Sequence, residues 1–340
     1  MIWFTWRQFR AQGIVAGAAL AAMAVALIVT GPHLADLYTS TGLAACHAGC
    51  GTEATNFINQ VKGSAAEIVF YVGIFLLYAA PAIIGMFWGA PLVTRELEAG
   101  TFRLAWNQSI TRTRWIAVKL ALIGLAAMAT TGLLSLMTSW WAAPLYQTAQ
   151  EAGQNSLSIN KFGPTLFGAT GIAPIGYAAF AFALGVTMGV LVRRTLPAMA
   201  LTLALFAAIQ ILWPGYVRPH LMTPVTTVQP LGTVSFNGIG DSDNGHLLMD
   251  VGSVSGKLGD WITASHPVNS AGQAISIAPH ACMNPSGNFV QCLSNNGVRM
   301  SVSYQPTSRY WAFQWYDTGI FLVLALGLGG VCYWRIRRIA

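Results

Sequence analysis

The chain has 340 residues, of which 54% are hydrophobic and only 9% carry a charge. Because soluble domains usually carry about 25% charged residues, this composition excludes a soluble enzyme, a disordered chain and a nucleic-acid-binding domain. It predicts a polytopic membrane protein, in which the position of each basic residue matters more than the net charge of +7.

Six uncharged apolar runs are long enough to cross a hydrocarbon core of about 30 Å as helices. In chain order the predicted spans are Gly13–Gly31, Ile68–Trp88, Leu120–Ala142, Phe167–Val192, Leu196–Tyr216 and Thr318–Trp334. The expected fold class is therefore an all-α polytopic membrane protein. The first run follows two arginines, as a signal peptide does, but it is longer than a usual signal sequence, so we expect a retained helix.

The stretch before the first span, residues 1–12, interleaves Trp3 and Trp6 with Arg7 and Arg10. This pattern predicts either an amphipathic helix lying in the membrane interface or an ordinary anchored tail. Both interpretations place the stretch on the same side of the membrane as the other basic loops.

The basic residues predict the orientation of the spans. With both termini in the cytoplasm, 12 of the 18 basic residues and only 2 of the 11 acidic residues lie on the cytoplasmic side. That side then carries a net charge of +10 and the exterior segments carry −3, as the positive-inside rule requires. We expect a multi-pass protein of the bacterial plasma membrane, with cytoplasmic termini, a basic face against anionic membrane lipids and no nucleic-acid partner.

The exterior segments contain four of the five cysteines. Cys46 and Cys50 lie in the first exterior loop, and Cys282 and Cys292 lie between spans five and six. An even set of exterior cysteines predicts disulfides, and pairing within each loop is the simplest of the three possible connectivities. A zinc site at Cys46, His47 and Cys50 is the alternative, but two further ligands are missing nearby.

The segment between spans five and six, residues 217–309, is rich in Gly, Ser, Asn, Thr and Pro. Alternating apolar and polar residues at 300–304 predict short strands within it. The chain therefore divides into residues 1–216 with five spans, a small exterior disulfide-containing domain at 217–309, and residues 310–340 with the sixth span and a basic tail.

The segment after the second span has a pattern that positive-inside charges do not explain. Glu96 and Glu98 precede Gly100 and Thr101, where a helix is expected to break and a new helix to begin with Thr101 as its N-cap. A short amphipathic stretch and a polar turn follow, and the chain returns to the membrane at a basic cluster. The pattern predicts a cytoplasmic surface helix, near residues 96–112, that joins spans two and three.

This segment resembles the one that links the second and third spans of type-2 ATP-binding-cassette (ABC) export permeases. Their motif is Arg-Glu-x-Glu-x-Gly-Thr, then a leucine-containing helix, then Ser-x-x-Arg, then Lys-Leu at the start of span three. The matching residues are Arg95, Glu96, Glu98, Gly100, Thr101, Leu104, Ser109, Arg112, Lys119 and Leu120. The family usually has a proline near that serine, where this chain has Gln108. The large exterior segment before the last span resembles that of the G-subfamily.

The resemblance implies a coupling helix that docks on a separate ATPase subunit. The residues it assigns to ATPase coupling are Glu96, Glu98, Gly100, Thr101, Arg103, Leu104, Ser109 and Arg112. It also implies two ATPase copies that bind ATP and Mg²⁺, and either a second copy of this permease or a homologous second permease, with a homodimer as the default. This chain is then a transport subunit and not an enzyme, and residues 252–258, its nearest approach to a phosphate-binding loop, have the wrong spacing.

By the same resemblance, spans two and five face each other across the dimer axis and line the substrate pathway. The residues assigned to the pathway are Phe75, Tyr78, Phe87, Phe206, Gln210 and Trp213. Ordinary helix packing also accounts for these side chains, and Gly185 and Gly189 predict a close helix contact of span four. The predicted spans contain no ionisable residue, which disfavours an ion-coupled transporter.

The main predicted function is ATP-driven export of an amphipathic or hydrophobic substrate (drug, lipid or peptide-like) by alternating access. The alternative is an exterior ligand-binding or sensing module anchored by six helices. A membrane enzyme with exterior chemistry is a third possibility. The side chains available to such an enzyme are His220, His246, His266, His280, Asp241, Asp243 and Asp250. Their spacing fits no metal motif, so no metal is expected.

Overall fold

A computed structural model describes residues 2–46, 50–98, 112–151, 160–164, 166–241, 247–254, 259–276, 282 and 288–338. Within them, six helical segments are long and apolar enough to cross a membrane. These spans are Phe9–Ser40, Ala65–Glu96, Arg114–Trp141, Ala173–Val192, Thr195–His220 and Thr307–Arg338. The predicted six-span fold, with a small domain before the last span, is confirmed.

The spans pack around one central helix. The described helices are α1 (Ile2–Ser40), α2 (Gly51–Val61), α3 (Ala65–Ile83), α4 (Ala90–Glu98), α5 (Arg112–Trp141), α6 (Ala143–Glu151), α7 (Ala173–Val192), α8 (Thr195–Leu212), α9 (Phe289–Asn295) and α10 (Tyr310–Arg338). A π-helical turn, Ile84–Gly89, joins α3 to α4 within span two. The central helix is α7, which is mostly buried and contacts α3, α4, α5, α8 and α10. Helix α1 packs on the outside, against α3 and α5.

The N-terminal stretch differs from the prediction. Helix α1 runs without a break from Ile2 through Pro32 to Ser40, so residues 1–12 do not form a separate interfacial helix. Its 39 residues extend about 58 Å, which is longer than a membrane core. The buried Phe9 ring packs edge-on against Trp88, with ring centroids 4.7 Å apart, and this contact holds the first turns in line with the span.

The predicted start of span four is too early and that of span six too late. Span four begins at Ala173, because Gly171 turns the chain with a φ of +64° just before Pro174. Span six begins before Thr318, because helix α10 already starts at Tyr310. The second difference places Asp317 inside the helix, where the prediction had put it outside the span.

The described residues between spans five and six form five strands. They are β1 (Val225–Pro230), β2 (Val234–Asp241), β3 (Leu247–Val254), β4 (Trp261–Val268) and β5 (Arg299–Gln305). An antiparallel sheet has the order β1-β5-β4, and β2 pairs with β3. In the register, Val302 lies opposite Thr227 and Ser265, and it is buried with Met300 in a small core. The strand predicted from the alternation at 300–304 is confirmed.

Both disulfides pair within their own loops, as predicted. Cys46 is bonded to Cys50, and Cys282 is bonded to Cys292. The first bond excludes the zinc alternative, because the two sulfur atoms are bonded to each other. Cys332 is buried and reduced in span six. In the part of the chain that the structure describes, no group of three or more His, Cys, Asp and Glu is placed to hold a metal ion.

Candidate functional site

The two ends of the bundle differ in charge. We call one the basic end: it carries exposed Arg10, Arg95 and Arg114 at the ends of three spans. Phe9 and Ile336 are buried there in one apolar cluster, so the first and last spans begin and finish at this end. The opposite end carries both disulfides and the strands, and we call it the sheet end.

At the basic end, Glu96 of α4 forms an ion pair with Lys119 of α5. The Lys119 side chain is only 2% exposed, and its ammonium also lies 4.5 Å from the ring centroid of Trp115. A buried ammonium is unfavourable without a paired carboxylate, so this pair holds the end of span two to the start of span three. Segment 99–111, which contains most of the predicted coupling helix, connects these two helices in the sequence.

Glu98, two residues further along the chain, is hydrogen-bonded to the start of span five. Its carboxylate accepts a hydrogen bond from the Thr195 hydroxyl at 2.6 Å and another from the Thr195 backbone N–H at 2.8 Å. Because the first N–H groups of a helix have no partner within that helix, Glu98 caps α8 from a different span. These two hydrogen bonds, with Arg194 nearby, hold the pKa of the exposed Glu98 carboxyl below its ordinary value.

The residues assigned to ATPase coupling are only partly within the described chain. Glu96 and Glu98 lie in α4, and Arg112 begins α5. Those that lie outside the described residues are Gly100, Thr101, Arg103, Leu104 and Ser109. Glu96 and Glu98, predicted at the start of the coupling helix, thus belong to α4 and contact spans three and five of their own chain.

Spans two and four cross with their backbones in contact. A Cβ atom at Gly89 would lie 2.5 Å from the carbonyl oxygen of Phe182, and one at Gly185 would overlap the carbonyl oxygen of Gly85. No larger residue fits at either position without moving a helix. The close contact predicted from Gly185 and Gly189 is confirmed, and the π-helical turn of span two lies at this crossing.

The residues assigned to the substrate pathway do not share one surface. On span two, Phe75 and Phe87 are 68% and 46% exposed. On span five, Phe206 is buried and packs against Phe180, with ring centroids 6.5 Å apart. The aromatic residues of span two are therefore available to a ligand or partner, whereas Phe206 contributes to the core.

The remaining pathway candidates are partly buried. Tyr78 lies beside Gly168, in the turn that precedes span four. The side-chain nitrogen of Gln210 is buried without a hydrogen-bond partner among the described residues. The indole of Trp213 donates a hydrogen bond to Asp317 at 2.5 Å, which makes Trp213 part of a polar network at the sheet end.

That network centres on Asp317 and lies between spans four, five and six. Its carboxylate accepts hydrogen bonds from the Tyr177 hydroxyl at 2.5 Å, from Trp213 and from Arg218 at 3.2 Å. Arg218 also donates to the Tyr177 hydroxyl at 3.0 Å, and its guanidinium lies 4.4 Å from the ring centroid of Phe167. Both charged residues are completely buried. The expectation that ionisable residues stay outside the spans is therefore wrong for Arg218 and Asp317.

Gln314, one turn before Asp317, holds the start of span four. Its side-chain oxygen accepts hydrogen bonds from the N–H groups of Ile172 and Ala173, at 3.0 and 2.8 Å. Its side-chain nitrogen donates to the carbonyl of Phe167 at 3.2 Å. Span six therefore satisfies the backbone groups that the late start of α7 leaves free.

A family model described as "ABC-2 membrane transporter related" matches residues 17–218, more than half of the chain. The chain belongs to this family. It is an ABC-type permease, in agreement with the motif around Glu96 and Glu98. Comparisons with curated proteins and with solved structures found no match.

The matched range of the permease begins within span one, at residue 17, and ends within span five at Arg218, the cation of the sheet-end network. Its partner Asp317, the strands and span six lie beyond that range. The Glu96–Lys119 and Glu98–Thr195 contacts thus lie within the matched range of the ABC-2 permease, whereas the sheet-end network joins that range to the rest of the chain.

Sequence reasoning missed Thr195, Arg218, Gln314 and Asp317. One signal was present: Arg218 and Asp317 have opposite charges and flank the long segment between spans five and six. No comparable signal marks Thr195 or Gln314, because a threonine at a helix start and a glutamine near an interface are common in any membrane protein.

Proposed function

We propose that this permease is the membrane-spanning subunit of an ATP-driven exporter, which moves an amphipathic or hydrophobic substrate by alternating access. A separate ABC ATPase, present in two copies, binds ATP and Mg²⁺. Two permease copies form a two-fold homodimer of the G-subfamily type. The basic end faces the cytoplasm of a bacterial cell, because translocating its arginines would oppose the positive-inside rule.

The observation that carries this proposal is the pair of contacts made by the two motif acids. Glu96 holds span two to span three, and Glu98 holds it to span five. Segment 99–111 begins directly after Glu98. A partner that pushes on this segment therefore acts at one point on three spans, which is the mechanical requirement for coupling.

The exposed aromatic residues support an apolar substrate. Phe75 and Phe87 project from span two, and exposed apolar side chains such as Leu205 and Ile211 line span five. Two copies that met along these spans would enclose a pathway with few polar groups. Phe206 then supports the wall of the pathway from behind and does not contact substrate.

The test is purification of the full chain from native membranes in mild detergent. We expect an ATPase with nucleotide-binding motifs to purify with it, and ATP hydrolysis by that ATPase to rise when the permease is added back in liposomes. Glu98→Gln removes a charge at the contact with span five and is expected to reduce this stimulation. Glu53→Gln, at the opposite end of the bundle, is the matched control.

Two results contradict the proposal. One is the absence of any ATPase in the purified material, and the other is ATP hydrolysis that does not depend on the permease. Stimulation that is equal in the wild type, Glu98→Gln and Glu53→Gln would show that the Glu98 contact does not transmit coupling.

A further inference from the structure

A groove of about 510 Å³ opens on the membrane face between α1 and span two. Its volume falls in the range of about 300–1,000 Å³ that is typical of small-molecule sites. It is lined by Ala11, Gln12, Val15, Ala16, Ala19, Leu20, Leu76, Ala80, Ile83, Ile84, Phe87, Trp88, Thr130 and Leu134. The lining is almost wholly apolar, since the Thr130 hydroxyl donates to the Ala126 carbonyl of its own helix at 2.8 Å.

The groove exists because small side chains of α1 face a π-helical turn. Ala11, Ala16 and Ala19 leave space where longer side chains would have filled it. Across the groove, Ile84, Phe87 and Trp88 belong to the π-helical turn. Packed helices do not leave apolar voids of this size empty, because lining atoms without neighbours lose dispersion energy.

The groove has the length of one membrane leaflet. From Ala11 to Leu20 it follows α1 for nine residues, or about 14 Å at 1.5 Å per residue. Half of a hydrocarbon core of about 30 Å is about 15 Å. One extended acyl chain in one leaflet therefore matches the length of the groove.

A polar pocket of about 200 Å³ continues the groove at the basic end. Gln12 and Trp88 line both cavities, so the two adjoin each other on the protein surface, and we call the adjoining pair the channel. Arg95 lines the polar pocket with its exposed side chain, while the Glu96 carboxylate there is paired with Lys119. The mouth of the groove therefore presents a guanidinium and an amide at the depth of lipid head groups.

We propose that this channel binds one anionic phospholipid. An acyl chain occupies the apolar groove beside Ala16 and Phe87, and the phosphate lies at Arg95 and Gln12. A guanidinium binds a phosphate through paired hydrogen bonds. The choline ammonium of a zwitterionic lipid opposes this attraction, so a head group with a net negative charge is favoured. The site shares Phe87 with the proposed substrate pathway, but lipid binding there does not depend on ATP-driven transport.

The test is native mass spectrometry of the full chain released from nanodiscs. One set contains phosphatidylglycerol and the other phosphatidylcholine with identical acyl chains. We expect one phosphatidylglycerol to stay bound, and phosphatidylcholine to be retained at least about fivefold less, as expected for one lost arginine–anion contact near the membrane surface.

Two variants distinguish the contribution of the head group to lipid binding from that of the acyl chain. Arg95→Gln is expected to lower phosphatidylglycerol retention about fivefold and to leave phosphatidylcholine unchanged. Ala16→Trp fills the groove and is expected to abolish retention of both lipids. Arg194→Gln and Ile14→Trp are the matched controls, because they change an exposed arginine and an exposed apolar residue outside the channel. If Ala16→Trp fails to fold by size-exclusion chromatography, Ala19→Leu replaces it.

Equal retention of the two lipids by the wild type would overturn the proposal. So would retention of phosphatidylglycerol that is unchanged in both Ala16→Trp and Ala19→Leu, since the chain would then bind elsewhere. A loss in Arg194→Gln as large as in Arg95→Gln would show general attraction to the basic end in place of a specific site.

Discussion

The two ends of the helix bundle are held by polar contacts of different kinds. At the sheet end, Asp317 and Arg218 are both fully buried, and the carboxylate has three hydrogen-bond donors around it. At the basic end, Lys119 is buried but Glu96 is 15% exposed, and Glu98 is fully exposed. Because the sheet-end groups are buried, solvent does not reach them to replace a lost contact. At the basic end the exposed carboxylates can bond to water instead.

Under the proposed coupling, this difference leads us to expect movement at the basic end. Contacts that water can replace are exchanged at little cost, as a segment that transmits motion requires. Contacts between buried charged groups break only at a large cost. We therefore expect substitutions at the sheet end to affect stability most and substitutions at the basic end to affect coupling most.

The largest effect is expected from Asp317→Asn. It leaves Arg218 charged and buried without its carboxylate, which costs about 3–5 kcal/mol of unfolding free energy. The measurement is thermal unfolding of the detergent-solubilised protein by fluorescence-detected size exclusion. Asp36→Asn, on the exposed face of α1, is the control and should leave the transition unchanged.

A double variant sharpens that result. Asp317→Leu together with Arg218→Met removes both charges, so it should recover most of the stability lost in Asp317→Asn. If the double variant is no more stable than the single one, the buried charge is not the cause of the loss.

A smaller and asymmetric effect is expected at the Glu96–Lys119 pair. Glu96→Gln leaves a buried ammonium without its partner and should cost roughly 2 kcal/mol, whereas Lys119→Met leaves a carboxylate that reaches water and should cost roughly 1 kcal/mol. Unfolding of each variant is compared with that of Arg10→Gln, which changes an exposed arginine at the same end. Equal losses in the two variants would mean that the burial of Lys119 does not control the energy of the pair.

The smallest effect is a pH dependence at Glu98. Its pKa in the folded protein is lowered by hydrogen bonds from Thr195, so these bonds stabilise the fold above the ordinary pKa and are lost as the pH falls through the lowered one. The difference in melting temperature between the wild type and Glu98→Gln should be constant near neutral pH and shrink below about pH 4.3. Thr195→Val should weaken this pH dependence. If the difference in melting temperature between the wild type and Glu98→Gln does not change with pH, the contact between Glu98 and Thr195 is refuted.

The sequence predicted where spans two and three join at the basic end, and both disulfides and one strand at the sheet end. The motif around Glu96 and Glu98 marked the junction of spans two and three, because helix breaks and charges follow local rules. It did not show that Glu98 caps span five, since Thr195 lies about a hundred residues away. At the sheet end, Arg218 and Asp317 were counted as exterior charges, because hydropathy ends a span at the first charged residue and does not register a buried ion pair.

Composition and charge distribution by themselves determined that this chain is a six-span membrane protein, and the spacing of its cysteines favoured pairing within two loops. These properties follow from apolar length and residue spacing, which are local in the chain. Only the tertiary structure decided that α1 is one continuous helix, that glycines bring spans two and four into contact, and that Asp317 faces Arg218 inside the bundle. Each of these depends on distant residues meeting in space, where packing and burial outweigh the local pattern.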